Sequence, residues 1–312
     1  MKGMANTNKK GHWPQIKRRL FRNRYLYLLI AVPIIYFIIF KYVPMYGIII
    51  AFEDFKIRRG ILGSDWVGLE HFKEYLFDPN FWNLVKNTVL LSFWQILIAF
   101  PLPIIFALLI NELPSRRFSG IVLNVSFLPH FISIVVVVSM LKMFCSKDGI
   151  INDLIAFLGG QRTSFLIESQ YFRFLYVASE IWQNMGWSAI IYIAALANVD
   201  VQLYEAAKID GAGRVRQILN ISLPCILPTV VTMLILNMGQ IMNVSFDKVL
   251  LMQNAATYKV SDIISTYVYR RGLEGAQYSY AAAVDLFSSV INLIMLCITN
   301  TISKKFGQDG LW

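Results

Sequence analysis

Four polar or aromatic side chains follow one another at helical spacing inside an otherwise apolar stretch of the chain. At about 100° per residue, Glu180, Gln183, Asn184 and Trp187 fall on one narrow helix face. Amide groups both donate and accept hydrogen bonds, and an indole adds a flat apolar surface with one N–H donor. This combination of groups suits the binding of a molecule rich in hydroxyls.

Further amides occupy the last two apolar stretches. In residues 223–244, Asn237 and Gln240 are predicted neighbours on a helix, with Asn243 one step further round. Asn292 lies in the last stretch, on a face with other polar side chains. Two interpretations stay open for all of these residues. They line a path for a solute, or they join packed helices through hydrogen bonds worth about 0.6 kcal/mol each.

The elements that must position these side chains are long apolar segments. The chain has 312 residues, of which 56% are hydrophobic and 15% are charged, a composition too apolar for an ordinary soluble domain. Six segments are of the length, about 20 residues, that crosses a bilayer as a helix: 25–52, 88–110, 121–144, 174–199, 223–244 and 281–302. Because hydrocarbon admits only helices and closed barrels, and these segments do not alternate as barrel strands do, the sequence predicts an all-α polytopic membrane protein with six transmembrane helices.

Basic residues predict the orientation of the chain in the lipid membrane. Residues 1–24 carry eight Lys and Arg side chains, and cytoplasmic segments are enriched in such residues. Both termini are therefore expected in the cytoplasm, with outer loops at 53–82, 145–172 and 245–280. The net charge of +10 reflects this orientation, and no nucleic-acid partner is predicted.

No catalytic residue, metal ligand or cofactor-binding residue is predicted in this chain. Cys145, Cys225 and Cys297 are far apart and lack the spacing of metal ligands. His130 is expected to pack or to form a hydrogen bond inside the bundle, since no second ligand is placed beside it. The chain also lacks the G-x-x-x-x-G-K-[ST] loop that cradles ATP phosphates, so it is predicted to be no enzyme by itself.

One stretch that is rich in polar and small residues, 203–224, separates the fourth and fifth apolar segments. Glu205 begins a run of good helix formers, Gly211 and Gly213 are suited to end that helix in the left-handed region, and Pro224 suits the first turn of the next helix. Small side chains leave the short helix nearly bare, so another protein's backbone could approach it, and Glu205 offers an anionic acceptor. The alternative is a linker that binds nothing.

The order of residues in this stretch resembles a known motif. Glu205-Ala206-Ala207, then Asp210-Gly211-Ala212, then Leu223-Pro224 is similar to the EAA loop of permease subunits in binding-protein-dependent ATP-binding-cassette (ABC) importers. A second run, residues 44–52 followed by Trp66-Val67-Gly68-Leu69, resembles the branch of that family that serves oligosaccharides and polysaccharide fragments in bacteria. The resemblance extends from about residue 26 to the end of the chain.

The resemblance implies an ABC type I importer permease fold in a bacterial inner or plasma membrane, and a set of partners. A second homologous permease subunit would complete the pathway, and an extracellular solute-binding lipoprotein would deliver an oligosaccharide. Two ATPase subunits would hold the ATP and magnesium and would dock on Glu205, Ala206, Ala207, Asp210, Gly211 and Ala212. In such importers the solute contacts polar residues on the helix after the EAA loop.

A secondary transporter driven by an ion gradient is the alternative function. Such proteins need an ion relay near the middle of the bilayer and often contain inverted repeats. Glu180 and Asp285 are predicted near the outer ends of their helices, and the sequence has no internal repeat. The importer subunit is therefore the preferred prediction.

The predicted organisation has three parts. Residues 1–24 form a basic cytoplasmic leader, 25–302 form the permease domain with its EAA loop at about 203–224, and 303–312 form a cytoplasmic tail. Because Lys41 and Pro44 interrupt the first apolar segment, two ends of the first span stay open. The span is either 25–52, or about 25–44 followed by an interfacial or outer segment.

Overall fold

The computed structural model describes residues 21–307 and 310–312, so most of the predicted basic leader lies outside the described residues. The described chain is mainly helical, with one short antiparallel hairpin that pairs Glu53 with Trp66 and Asp54 with Asp65. In chain order the elements are α1 (Arg24–Phe52), β1 (Glu53–Asp54), β2 (Asp65–Trp66), α2 (Glu70–Leu76), α3 (Phe81–Asn111), α4 (Arg116–Phe131), α5 (Ile134–Phe144), α6 (Ile150–Phe157), α7 (Ser169–Leu196), α8 (Val201–Ile209), α9 (Arg214–Met238), α10 (Phe246–Met252), α11 (Tyr258–Ser261), α12 (Ile264–Val268) and α13 (Tyr278–Lys305).

Four of these helices, α1, α3, α9 and α13, are each long and apolar enough to cross a membrane. Two bent pairs, α4 with α5 and α7 with α8, raise the number to six when each pair counts as one span. The prediction of a helical, multi-pass membrane protein is confirmed. By length and composition, the described residues therefore contain four candidate spans, or up to six.

The third predicted span, 121–144, is not one straight helix. It bends by 99° between α4 and α5. Pro129 lies in a 3-10 turn at the end of α4, Ile132 is extended, and Ser133 caps α5 by accepting a hydrogen bond from the Val136 amide at 3.4 Å. Pro129 has no N–H to continue the hydrogen bonds of α4, and Ser133 caps a new helix a few residues later. The chain therefore begins α5 in a new direction.

Three membrane-length helices contain a π-helical turn that ends two residues before a proline. The turns are Ile38–Tyr42, Gln95–Ala99 and Ile218–Ser222, and the prolines are Pro44, Pro101 and Pro224. A proline lacks an N–H, and its ring clashes with the carbonyl four residues earlier. A wider turn removes that conflict without ending the helix.

These turns bear on two expectations. In the second apolar segment Pro101 and Pro103 predict a kink, and the structure has there a π turn within a helix that continues to Asn111. Pro224 lies in the first turn of the α-helical part Leu223–Met238, as predicted, although helical backbone already begins at Arg214. The first helix keeps helical backbone through Phe52, changing from α to π at Ile38 and to 3-10 at Tyr46.

Helix α7 lies at the centre of the packed core. Its Tyr176 is buried against α3 and α10, in a cluster with Leu91 and Val249. Nearer its other end, Ala189 is buried with residues of α3 and α9. At Gly186 the helix passes so close to α4 that an added Cβ would lie 2.3 Å from the Ser126 carbonyl oxygen. Glycine is therefore required at this crossing.

The segment between α1 and α3 is fixed to the last two helices through Asp78. Its carboxylate accepts hydrogen bonds from Tyr267, from Arg271 at 3.1 Å and from Tyr280 at 3.3 Å. Burial raises the pKa of Asp78, but hydrogen bonds from Tyr267 and Asn80 and the charge of Arg271 outweigh it, so the pKa lies below its ordinary value.

Candidate functional site

A cavity of about 530 Å³ lies between α3, α7, α9 and the turn that follows α9. Apolar side chains such as Phe100 and Ile191 form part of its wall. The remainder of the wall is mostly uncharged and polar. The lining side chains that carry hydrogen-bonding groups include Ser92, Gln95, Glu180, Asn184, Ser188, Asn237, Gln240, Asn243 and Ser245.

Five of the seven amide and indole side chains predicted along a solute path line this cavity: Asn184, Trp187, Asn237, Gln240 and Asn243. The other two lie outside it and are buried in the bundle. Gln183 donates to the Ile132 carbonyl at 3.0 Å, and Asn292 accepts a hydrogen bond from the Met242 amide at 2.9 Å. For these two residues the packing interpretation, which the sequence left open, describes the contacts.

The three polar residues predicted on the fifth helix do not share one helix. Helix α9 ends at Met238, so only Asn237 belongs to it, whereas Gln240 and Asn243 lie in turns beyond it. Gly239, with its low helix propensity, follows the last helical residue. Asn243 Nδ2 donates to Gln240 Oε1 at 2.6 Å. The turn therefore presents two amides to the cavity from outside the helix.

A buried ion pair supports the cavity wall. Lys248, in the predicted outer loop 245–280, is fully buried on α10, and its Nζ lies 2.8 Å from Glu180 Oε2. The ammonium also lies 5.0 Å from the centre of the Tyr176 ring, a favourable cation–π arrangement. Lys248 directly precedes the apolar residues Val249–Met252, and this was the available signal, since a buried charge requires a partner.

The ion pair continues into a chain of side chains that ends at Trp187. Asn184 Nδ2 donates to Glu180 Oε1 at 2.6 Å, and His130 Nδ1 donates to Asn184 Oδ1 at 2.7 Å. The His130 ring is stacked on Trp187, with centroids 4.3 Å apart and planes inclined by 6°. The expectation that His130 forms a hydrogen bond inside the bundle is confirmed. Among the described residues, no group of three or more His, Cys, Asp or Glu is arranged to hold a metal ion.

Helix α8 and the turn that follows it carry the predicted coupling residues at the far end of α7. Asp200 caps α8 by accepting a hydrogen bond from the Gln202 amide at 2.9 Å. Gly211 ends the segment with φ +76°, as predicted for a left-handed position. The same prediction for Gly213 is wrong, because its φ is −69° and it forms the N-cap of α9.

Most of the predicted coupling residues are accessible from outside the chain. Glu205, Ala206, Asp210 and Gly211 are exposed, whereas Ala207 and Ala212 are half-buried. The described surface beside them is partly apolar, with Ile209 exposed by 87%. A docking role for this surface stays a prediction.

Two hydrogen bonds that sequence reasoning missed fix α8 and its following loop to α9. The Tyr204 hydroxyl lies 2.9 Å from Ser222 Oγ, and Ser222 is fully buried in the π turn of α9. Gln217 Nε2 donates to the Ala212 carbonyl at 2.7 Å. The sequence separation of 18 residues between Tyr204 and Ser222 gave no periodic signal for this contact.

The whole chain is similar to permease proteins of bacterial transport systems. It is 46% identical over 295 residues to the polygalacturonan/rhamnogalacturonan transport system permease protein YteP of Bacillus subtilis (strain 168), which covers 94% of this chain and 92% of the relative. It is 43% identical over 294 residues to protein LplB of the same organism, with 94% and 92% covered.

Solved structures share the fold. A chain in the crystal structure of a bacterial ABC transporter involved in the import of the acidic polysaccharide alginate superimposes with a TM-score of 0.86 and 37% identity, covering 93% of this chain and 99% of that one. A second match is to the alginate transporter in complex with an alginate pentasaccharide-bound periplasmic protein, with a TM-score of 0.86, 36% identity and coverage of 94% and 99%. The type I ABC permease fold is thereby confirmed.

The family model for the inner membrane component of binding-protein-dependent transport systems matches residues 99–308. That range contains the cavity wall on α7, the exposed helix α8 and the turn after α9. The chain therefore belongs to the family of binding-protein-dependent transport system inner membrane components, the permease subunits of ABC importers.

Proposed function

We propose that this chain is one of two permease subunits of a bacterial ABC importer, and that its solute is an oligosaccharide containing uronic acids. An extracellular solute-binding lipoprotein would deliver the solute. The observation that carries the proposal is the cavity, because six amide or indole side chains line one space of about 530 Å³ inside an apolar bundle. Hydroxyl-rich molecules satisfy both the donors and the acceptors of amides.

The solute class is supported by what the relatives transport. YteP is named for polygalacturonan and rhamnogalacturonan, and the matching solved structures concern alginate, described as an acidic polysaccharide. The Trp187 indole, 45% exposed and facing the cavity, offers the flat apolar surface on which the C–H face of a pyranose ring would lie. The proposed solute-contacting residues are Asn184, Trp187, Asn237, Gln240 and Asn243.

ATP and magnesium would belong to two separate ATPase subunits docked on α8. Glu205, Ala206, Asp210 and Gly211 form an exposed surface of small and acidic residues, and the anchored Tyr204 would pass its movement to α9. Closure of the ATPases on ATP would then bias the bundle between inward-open and outward-open states. In this proposal α8, both termini and the basic leader lie in the cytoplasm, and six spans cross the membrane.

The experiment is reconstitution of this chain with its partner permease, the ATPase subunits and the loaded binding protein in vesicles. We expect uptake of a short galacturonate oligomer that requires ATP and survives an ionophore. Glu205→Arg is expected to abolish solute-stimulated ATP hydrolysis, because the reversed charge faces the docking partner. Glu274→Arg is the matched control, an exposed acid reversed outside α8, and should leave hydrolysis unchanged.

Two results would overturn the proposal. Uptake that stops with the ionophore but survives ATP depletion would identify an ion-gradient transporter. Full solute-stimulated hydrolysis in the Glu205→Arg complex would remove α8 as the coupling surface.

Glu180 argues against an ion relay, since both of its carboxylate oxygens are already engaged, one by Lys248 and one by Asn184.

A further inference from the structure

The cavity wall contains one charged residue among the described residues that line it, Glu180. A carboxylate at this place is unexpected in a path for uronic acids, because it would repel the carboxylates of the solute. Like charges brought together in a poorly solvated space are strongly unfavourable. The structure therefore has to compensate for Glu180 if the proposed solute is to pass.

Lys248 supplies the compensating charge from behind the wall. Its Nζ lies 2.8 Å from Glu180 Oε2, and its side chain is fully buried whereas that of Glu180 is 23% exposed. The lysine does not line the cavity. A solute would thus meet the edge of the carboxylate, while the ammonium that neutralises it is never in contact with the solute.

The second carboxylate oxygen is also occupied. Asn184 Nδ2 donates to Glu180 Oε1 at 2.6 Å, and Asn184 Oδ1 is held by His130. The carboxylate is therefore fixed in orientation by two partners, and it presents lone pairs that accept hydrogen bonds from hydroxyls. The wall can therefore accept hydrogen bonds from solute hydroxyls while the Glu180–Lys248 pair has no net charge.

We propose that Lys248 is a specificity-determining counter-ion, which makes the Glu180 wall neutral and so admits an anionic oligosaccharide to the cavity. This inference rests on the proposed function. Without the lysine, the same wall would carry one negative charge and would favour uncharged saccharides. Without the glutamate, it would be backed by a positive charge and would favour acidic ones.

A purely structural ion pair would behave differently. The pair joins α10 to α7, and its loss would weaken this contact for every solute alike. Only an electrostatic role predicts that the two single substitutions change the preference between charged and uncharged solutes in opposite directions. The decisive quantity is therefore a ratio of uptake rates and not a rate.

The experiment compares a short galacturonate oligomer with its methyl ester, which keeps the ring hydroxyls and removes the charge. Uptake of each is measured in vesicles containing the complete complex and loaded binding protein. The acid-to-ester ratio of each variant is divided by the wild-type ratio, which cancels the preference of the binding protein. Lys248→Met should lower this ratio about tenfold, as expected for one uncompensated charge near the solute.

Glu180→Gln should raise the ratio, and the double variant Glu180→Gln/Lys248→Met should return it to within about twofold of wild type. Arg270→Met is the matched control, because Arg270 forms an ion pair with Asp262 at 2.6 Å and neither residue lines the cavity. Its ratio should equal that of wild type. If Lys248→Met does not assemble, Glu180→Gln and the double variant still decide the question.

Ratios that stay at the wild-type value in the assembled single variants, or that move in the same direction, would overturn the role of Lys248. That result is distinct from failure of the proposed function, in which the wild-type complex would import neither solute. A double variant that keeps the altered ratio of either single variant would also contradict the inference, since it carries no charge at this wall.

Discussion

The cavity wall and helix α8 are close in sequence, but their polar groups find hydrogen-bond partners in different ways. In the wall, Glu180 and Asn184 have polar partners within the chain, among them Lys248 and His130, which do not line the cavity. On α8, residues such as Glu205 are exposed. These polar groups of the wall are paired inside the chain, whereas those of α8 are open to solvent.

This contrast has a physical reason. Desolvated polar groups must be paired in the folded chain, because leaving one unpaired costs about 1–3 kcal/mol. Exposed groups are paired by water and keep their hydrogen-bonding capacity for another protein. A surface that must release and rebind a partner is therefore built from exposed residues, with only its base anchored. Tyr204 and Asp200 supply that anchoring on α8.

The largest effect is expected from Gly186→Ala on α7, the helix that carries Asn184 and Trp187 of the wall. The added Cβ would lie 2.3 Å from the Ser126 carbonyl oxygen, and backbone cannot yield as a flexible side chain does. Helices α4 and α7 must move apart, at a cost near the upper end of the roughly 1–3 kcal/mol typical of overpacking. Thermal unfolding of the purified complex in detergent should show a clear fall in Tm.

Gly120→Ala is the matched control, since an added Cβ at Gly120 meets no atom within 4 Å. It should leave the Tm unchanged or raise it, because alanine favours a helix over glycine by up to about 1 kcal/mol. Equal melting of the two variants would show that the α4–α7 crossing is more open than the structure has it.

A smaller effect is expected in the turn after α8, from Gly211→Ala. The φ of +76° at Gly211 is a left-handed conformation that costs an alanine roughly 1–2 kcal/mol. Hydrogen exchange should become faster in α8 and remain unchanged in α7. Gly213→Ala, at φ −69°, should change exchange much less. Faster exchange at the cavity wall would mean that the two regions are not independent.

Tyr204→Phe should have an effect of about 1 kcal/mol, the usual size of one hydrogen bond. It removes the hydroxyl that contacts Ser222 at 2.9 Å and keeps the ring. We expect faster hydrogen exchange in α8 and more ATP hydrolysed per solute imported. The measurement is the ratio of hydrolysis to uptake in the reconstituted complex.

Ser222→Ala and the double variant complete the cycle. If the two hydroxyls act through their mutual contact, the double variant should lose little more than either single one. Strict additivity of the two effects would show that Tyr204 and Ser222 stabilise α8 separately.

Apolar segments and the small-residue motif predicted the helical membrane fold and the position of α8. Both signals are local, since they depend on runs of one kind of residue. Gly211 was predicted correctly for the same reason, because a left-handed residue at a helix end is a local requirement. The five cavity residues were predicted from helical spacing and lie together in the structure, although their role stays a prediction.

Contacts between distant segments were not predictable in this way. Lys248 and Glu180 are 68 residues apart, and a charge in a predicted loop gave no sign of its partner. The bend after Pro129 divided the third predicted span. The early end of α9 at Met238 left Gln240 and Asn243 outside the helix that spacing had assigned to them. Helix ends depend on tertiary packing, which periodicity does not report.

The last and smallest expected effect is a change in the pH dependence of the Tm, and it concerns Asp78. Like the polar groups of the wall, Asp78 has its partners within the chain. Its folded pKa lies below the ordinary value, so its ionised form stabilises the fold above the unfolded pKa of about 3.9. That contribution is lost as the pH falls through the folded pKa. The Tm of wild type should therefore fall below about pH 4 more steeply than that of Asp78→Asn, in which the group does not titrate. Parallel curves for the two proteins would show that Asp78 is not held ionised by Tyr267 and Arg271. Pairing of charged groups inside the chain would then be a feature of the cavity wall and not of the Asp78 cluster.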